Sequence, residues 1–466
     1  MRKCLIMLKL KVISQIIAAT ITTSLLAGCG SDSDNTNVND STSTNVSKTR
    51  ISGSVFTPNV VGAQIEVTDI NGNKMAEPVT TDSNGLFTVA IPNANLNDDL
   101  LFIATGGSYT NAITGKGNIE SKRLATFAAE NSLTKTPVIN LTAASTIIEN
   151  ITSSIDDNAK AMEYFETAFG YQPNISVLPV TANQENKTAS EEAKLAGVRA
   201  AAFNQLLNDL GIAGDKQTDL LTAIAKDLED GTADGKNNSQ PVQIINGTNL
   251  NTDIANRFTM ALIDFAKDTV LNKSGINPGK VSVLAFNKKV VSTNYQFELT
   301  PQSMPMKGKS VFNLKITDNS DSAVVDITPT MLPMMYMANE HIHSTPHTGC
   351  TKTNAQGLSE CTSYFVMPSG ENIGNWELTF SVGTSGNQEK ARFFPSVGMP
   401  MGENTAWLAL FGTDKALAGG ASNRLYLFYK NDIVEKNSGH TVKFFIATKE
   451  LMLNKESKVV IKDWPL

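Results

Sequence analysis

The chain has little of what usually marks chemistry. Its 466 residues include only 4 histidines, 4 cysteines and 3 tryptophans. Basic residues are not in excess: 39 Lys and Arg stand against 45 Asp and Glu, giving a formal net charge of -6. There is no basic stripe, which argues against a nucleic-acid partner. After the N-terminal region no apolar run is long enough to span a bilayer as a helix. A nucleophile elbow, P-loop, HExxH or dinucleotide fingerprint is absent, and only His440 lies outside one short histidine cluster. No Ser or Asp spacing singles out a triad, so we expect a protein that is not an enzyme.

What is present begins at the N-terminus. Arg2 and Lys3 precede an apolar run over residues 12–26, followed by small residues and an abrupt turn to polar sequence. A run this short ending at small residues reads as a cleaved export signal rather than a span. Leu26-Ala27-Gly28-Cys29 resembles a bacterial lipobox. The resemblance implies cleavage before Cys29, diacylglycerol on its sulfur and a further N-terminal acyl group, palmitate-like in chain chemistry. Two or more chains anchor stably in a bilayer. Gly30 rather than Asp follows the cysteine, and the resemblance then favours the outer membrane of a cell that has one. With Cys4 removed and Cys29 lipidated, Cys350 and Cys361 remain. In a compartment that permits disulfides they are expected to pair and close a short loop. A thiolate metal ligand is the alternative.

Residues 29–49 are Ser, Asp, Asn and Thr with almost nothing apolar, and read as a disordered tether. From Ile51, ISGSVF, AQIEVTDI and LFTVAI alternate apolar and polar residues as half-buried strands do, with Asn71-Gly72 and Asn84-Gly85 between them as tight turns. Gly53-x-Val55, Val61-Gly62-Ala63, Val67-x-Asp69 and Thr81-Asp82-x-x-Gly85-x-Phe87 resemble carboxypeptidase-regulatory-like β-sandwiches, which implies a spacer or carbohydrate-facing module. Asp69-x-Asn71-Gly72-Asn73 lacks the rest of a calcium loop and reads as a plain turn. Over residues 141–278 apolar residues recur three and four apart, which predicts a helical bundle. Thr188 or Ser190 and Asp215 are suited to start helices, and Gly211 and Gly231 to stop them.

From about Lys280 strand patterns return, among them VSVLAF, YQFELT, SVFNLKIT, SYFVMP and NWELTFSV, and after Gln388 RFFPSV, RLYLFYK and HTVKFFIATK. Met304-Pro305-Met306 and Met399-Pro400-Met401 each precede a similar strand, as an internal duplication would. The fold class expected is a multidomain α+β protein: signal peptide 1–28, tether 29–49, β-sandwich 50–140, helical domain 141–278, an antiparallel Ig-like β-sandwich 279–386 and a second sandwich-like unit 387–466.

The most specific segment is 331–350, MLPMMYMANEHIHSTPHTGC. It carries Met331, Met334, Met335 and Met337, then His341, His343 and His347. Thioethers suit Cu(I), and imidazoles accept Cu(I), Cu(II) or zinc. A thioether does not titrate, whereas imidazole loses affinity below its pKa of about 6.5. Met331, Met335, Met337, His341, His343 and His347 are all odd-numbered, so a continuous strand would set them on one face. Pro329, Pro333 and Pro346 argue for an edge or an extended loop instead. Met304, Met306, Met367, Met399 and Met401 could add sulfur if the fold brings them near. The alternative is that the methionines are flexible core filler and the histidines a polar loop.

Pro333-Met334-Met335, the histidine run, Tyr364-Phe365-x-Met367 and Gly374-x-Trp376-x-Leu378 resemble the YtkA-like family of envelope β-sandwiches. The resemblance covers residues 309–382, implies copper handling, and carries Met334, Met335, His341 and His343 over as candidate ligands. Here residues 336–340 separate the methionine group from His341, wider than the family pattern. The function expected is an envelope lipoprotein that binds metal, copper before zinc, with the bilayer and a metal-accepting envelope protein as partners. The alternative is a structural or adhesive surface lipoprotein contacting envelope partners or glycans, with Trp376, Trp407 and Tyr426 as candidate contacts. The anchor is directly testable: Cys29→Ser is expected to abolish labelling by a fatty-acid probe and to move the protein from the membrane pellet to the soluble fraction. Unchanged labelling would refute the lipobox.

Overall fold

The computed structural model describes residues 47–466 apart from 246, 282–283, 385, 401–406, 413–423, 437–438, 451, 454–458, 461–462 and 465–466. The expected signal peptide, Cys29 and most of the tether lie outside the described residues, as do Cys4 and Met401. Strand structure begins at Lys48, just inside the stretch expected to be tether.

The alternation that begins near Ile51 becomes β1 (Lys48–Phe56), whose Ile51 and Val55 are fully buried. It is followed by β2 (Gln64–Asp69), β3 (Val79–Thr80), β4 (Leu86–Pro92), β5 (Leu100–Thr105), β6 (Arg123–Ala128) and β7 (Val138–Thr142). One sheet has the order β4-β1-β7, antiparallel then parallel; the other is β3-β2-β5-β6. Gly53 is required at the parallel seam, because a Cβ there would lie 1.7 Å from the Ile139 carbonyl oxygen. At the β2 turn, the Asp69 carboxylate accepts from Asn71 N (2.9 Å), Asn73 N (2.8 Å) and Asn73 Nδ2 (2.7 Å). These bonds, the Asn73 amide foremost, hold Asp69 below the usual carboxylate range and engage it within its own turn.

β7 passes directly into α1 (Ala143–Ile155), where Thr142 and Ser145 form a reciprocal cap. Then come α2 (Asn158–Phe169), α3 (Glu191–Asp209), α4 (Gln217–Leu228) and α5 (Ile254–Lys267). Ser190 caps α3 through its hydroxyl, and Gly211 and Gly231 follow α3 and α4 in left-handed conformations. Asp215 is not a cap: it lies in a short 3₁₀ turn, Gly214–Lys216, ahead of α4. Phe169, Phe203 and Phe258 meet at the bundle centre, with ring centroids 5.0 Å apart for Phe169–Phe258 and 4.6 Å for Phe203–Phe258. One hydrophobic cluster runs without a break from Ile51 through Ile147 to Phe265, so the first β-sheets and the helices share a core across residue 140.

The next body has two facing sheets. One is built from β8 (Lys289–Val291), β9 (Tyr295–Pro301), β10 (Gly308–Asp318), β13 (His347–Cys350) and β14 (Leu358–Phe365), in the order β8-β9-β10-β14-β13. The other is built from β11 (Thr330–Met337), β12 (Ile342–Ser344), β15 (Gly374–Thr384) and β16 (Asn387–Phe393), in the order β12-β11-β15-β16. Both sheets contribute to one separate core that includes Phe297, Phe312, Trp376 and Phe380. β16, which the sequence division at 387 assigns to a second unit, pairs with β15 and closes this body instead, because its Ala391 and Phe393 complete the same core. Cys350 and Cys361 are directly opposite on β13 and β14 and joined by a disulfide with an S–S distance of 2.06 Å. A further antiparallel sheet follows, β17 (Trp407–Gly412), β18 (Arg424–Lys436), β19 (Gly439–Glu450) and β20 (Asp463–Trp464). The whole is α+β.

The two-sheet body docks on α5 through a largely buried ion network. Glu377 on β15 accepts from Arg392 on β16 (3.0 Å) and Lys267 on α5 (3.0 Å), and Arg392 also binds Asp264 on α5 (2.7 Å). Burial pushes the Glu377 carboxyl up, but Arg392 and Lys267 more than offset this and leave it below its ordinary value of 4.5. The stabilisation it contributes is therefore full above that value and is lost as pH falls through the depressed native pKa. Glu377→Ala is expected to cost about 3 kcal/mol, since Arg392 loses its main buried partner. Urea denaturation should show this at pH 7, with wild type and variant converging under strong acid.

Candidate metal centre

β11 lies inside its sheet, between β12 and β15, rather than at an edge or in a loop as its prolines suggested. Pro333 is tolerated for a geometric reason. Its carbonyl oxygen faces the β12 side, where the Ser344 hydroxyl donates to it (2.7 Å), and a strand residue's N and C=O point the same way. The missing N–H is thus on the side where pairing with β12 starts only at Met334, and no bond to β15 is lost.

The odd-face expectation survives for half of the segment. In register, Met335 faces His343 on β12 and Trp376 on β15, so these three share the face turned into the sandwich. Met331, Met335 and Trp376 are buried in the core, Met335 and Trp376 completely. Met337 packs partly buried at the margin of this core. Beyond it the chain reverses, with Glu340 in the left-handed region (φ 69°) and Met337 N donating to His341 O (2.9 Å). This tight hairpin returns His343 to Met335 across residues 336–342. His341 stands at its exposed end.

Met334 is on the opposite face. It pairs with Ser344 and Glu377, on the side where Glu377 meets α5. His347 is also separated: after Ser344 the chain crosses to the other sheet, where His347 opens β13 opposite Ser363. Thr345 and Pro346 make the crossing, held by the Thr345 hydroxyl donating to Tyr364 O and by Tyr364 N donating to Pro346 O (2.8 Å). The six candidate ligands therefore do not converge on one point. The disulfide removes Cys350 and Cys361 as thiolate ligands. Met306 sits beside Gly398 in a parallel bridge, and Met304 and Met399 are exposed. His440 is on β19, opposite Glu435.

What the structure does bring together is His343 and Met367. His343 Nε2 lies 3.3 Å from Met367 Sδ, and His343 Nδ1 lies 2.9 Å from Ser344 O. The Trp376 indole N–H donates to Met367 O (3.0 Å), and its ring meets His343 edge-on with centroids 5.5 Å apart. Both the carbonyl oxygen and the thioether are acceptors. A neutral imidazole has one N–H, so one ring nitrogen must present a lone pair to another lone pair. With the proton on Nδ1, satisfying the carbonyl, Nε2 and Sδ face each other as two soft donors. A second proton or a bound cation relieves that opposition. Sequence patterning offered Met367 only as an accessory sulfur; its place just past β14, near the Trp376 strand, was the available signal.

Among the described residues no group of three or more His, Cys, Asp and Glu could hold a metal ion. A centre here has to draw on thioether sulfur, and the donor set present, one imidazole and one thioether with further methionines on the same face, fits a soft cation better than zinc. Trp376 is fully buried and cannot serve as an aromatic glycan contact.

No family model and no curated protein matches the chain. Among solved structures, the apo form of Bacteroides uniformis beta-glucuronidase 3 aligns over 90% of this chain and 76% of its own at 8% identity, with a TM-score of 0.11. That value is too low to indicate a shared fold.

Burial separates packing from ligation at Met335. Met335→Ala is expected to lower unfolding free energy by about 2–5 kcal/mol, and Met335→Leu by less than about 1.5 kcal/mol. Equilibrium urea unfolding reads both, and a large loss in the leucine variant would contradict a packing role.

Proposed function

We propose that this chain is a lipid-anchored envelope protein that binds Cu(I) as cargo through His343 and Met367, for sequestration or delivery to an accepting envelope protein. One observation supports this above all: a half-buried imidazole held with Nδ1 on a carbonyl and Nε2 on a thioether sulfur. A soft cation accepts the Nε2 and Sδ lone pairs while the single proton stays on Nδ1 toward Ser344 O. Met337 on the same face could add sulfur, with Met335 behind it as core. The lipobox resemblance of residues 26–29 supports the anchor, and the two-sheet arrangement of residues 289–393 is compatible with an Ig-like, YtkA-like sandwich.

The test is competition for Cu(I) against a chromophoric chelator under reducing conditions that leave the disulfide intact. His343→Ala and Met367→Leu should each weaken binding at least about tenfold, the loss of one of two principal donors. Met334→Leu, on the other face, should change nothing. Zinc, measured in parallel, should bind more weakly than Cu(I). Equal Cu(I) affinity in wild type and the His343→Ala/Met367→Leu double variant would sink the reading.

A further inference from the structure

The end of α4 buries an acid without a counter-charge. Asp227 lies in the last turn of this helix, one residue before Leu228, where the backbone carbonyls form the negative pole. The residue is fully buried. Its Oδ1 accepts from Lys236 N (2.7 Å), whereas Oδ2 is shielded from solvent with no hydrogen-bond partner among the described residues.

Residues 229–238 fold back over it. Glu229 accepts from Ser154 Oγ of α1 (2.6 Å) and from Asn237 Nδ2 (2.7 Å), and Asp230 accepts from Thr232 Oγ1 (2.7 Å) and Asn238 N (2.8 Å). Gly235 is seated so closely that a Cβ there would lie 2.8 Å from Leu250 O. Burial also acts on Glu229 and Asp230, but their hydrogen bonds outweigh it and keep both below the ordinary carboxylate range. At Asp227 burial wins and pushes the carboxyl up to about 7; the amides of Lys236, Asp234 and Gly235 offset only part of this, and the like charge of Asp234 adds to it.

No cation pairs with Asp227 among the described residues. Of the elements packed on α4, α1 carries Glu149, which is taken by Arg123 (2.8 Å). The turn at 214–216 carries Asp215 and Lys216, at the far end of the helix, with Lys216 3.9 Å from Asp219. Residues 243–245 carry no titratable group. Lys226 pairs with Glu229, and the Lys236 residue is exposed.

We propose that Asp227 is a proton-operated latch on residues 229–238: neutral, it lets the loop close over the end of α4, and ionised, it drives the loop open to reach water. The same loop and α4 line an open groove, with Lys226, Glu229, Asn237 and Asn238 on its walls, so the latch sets the shape of that groove. The proposal is independent of the copper reading.

The sign follows from linkage. Closure raises this acid from 3.8 to about 7, so its support for the closed loop is full below 3.8 and is lost as pH rises to about 7. Amide hydrogen exchange of the full-length protein, corrected for base catalysis, tests this. Protection at Lys236 and Asn238 is expected to fall about tenfold per pH unit between pH 5 and about pH 7 and then to level off. Amides in α5, such as Phe258, should keep their protection. Asp227→Asn, an uncharged isostere, should hold the loop equally protected across that range. In the wild type, the Asp227 carboxyl carbon should titrate near pH 7 by ¹³C NMR. Constant protection at Lys236 in the wild type, the same pH dependence in Asp227→Asn, or an Asp227 carboxyl already ionised at pH 5 would each overturn the proposal.

Discussion

The register of β11 against β15 is the constraint on which the candidate centre depends. Strand side chains alternate between faces, so a slip of one residue would exchange the two halves of the Met/His segment. Both faces lock the register. On one, Glu377, opposite Met334, is held by Arg392 and by Lys267 of α5. On the other, Trp376, opposite Met335, is buried and donates to Met367 O. The clamp on α5 and the indole bond act on adjacent residues of one strand. A helix outside the sandwich thus helps decide that His343 and Met335 face inward and Met334 does not.

Much of this was legible in the amino-acid pattern. The alternation in residues 51–91, the helical spacing after residue 141 and the shared parity of Met335 and His343 all appear as read. The prolines misled. Pro333 reads as incompatible with an internal strand only if its lost donor would have faced a neighbour, and β12 is too short for that. The parity argument also ran too far: it treats residues 331–347 as one strand, whereas a hairpin and a sheet-to-sheet crossing intervene, and Thr345-Pro346 carries His347 away. Met367 could not be assigned from spacing, because its nearness to His343 depends on the packing of two sheets and on an indole N–H. The boundary at 387 failed for a related reason, since a strand completing one sandwich has the same alternation as a strand opening another.

Shared cores complicate any division by composition. The first sheets and the helices bury one continuous cluster, and close backbone approaches at Gly53 and Gly197 hold it together where a methyl group would collide with a carbonyl oxygen. In the two-sheet body, methionine has a double character. The same thioether that packs irregular gaps also ligates soft cations, and burial distinguishes the roles. Met331 and Met335 are core, whereas Met367 presents its sulfur to an imidazole.

The position of β1 has a mechanical consequence. β1 is the middle strand of its sheet, bonded along residues 48–54 to β4 and along residues 52–56 to β7. A pull applied at residue 47 along the strand axis loads those bonds in shear, all at once, rather than peeling them one by one. A hairpin at a sheet edge would unzip under far smaller force. β1 is therefore the strand of its sheet best placed to resist being drawn out of it.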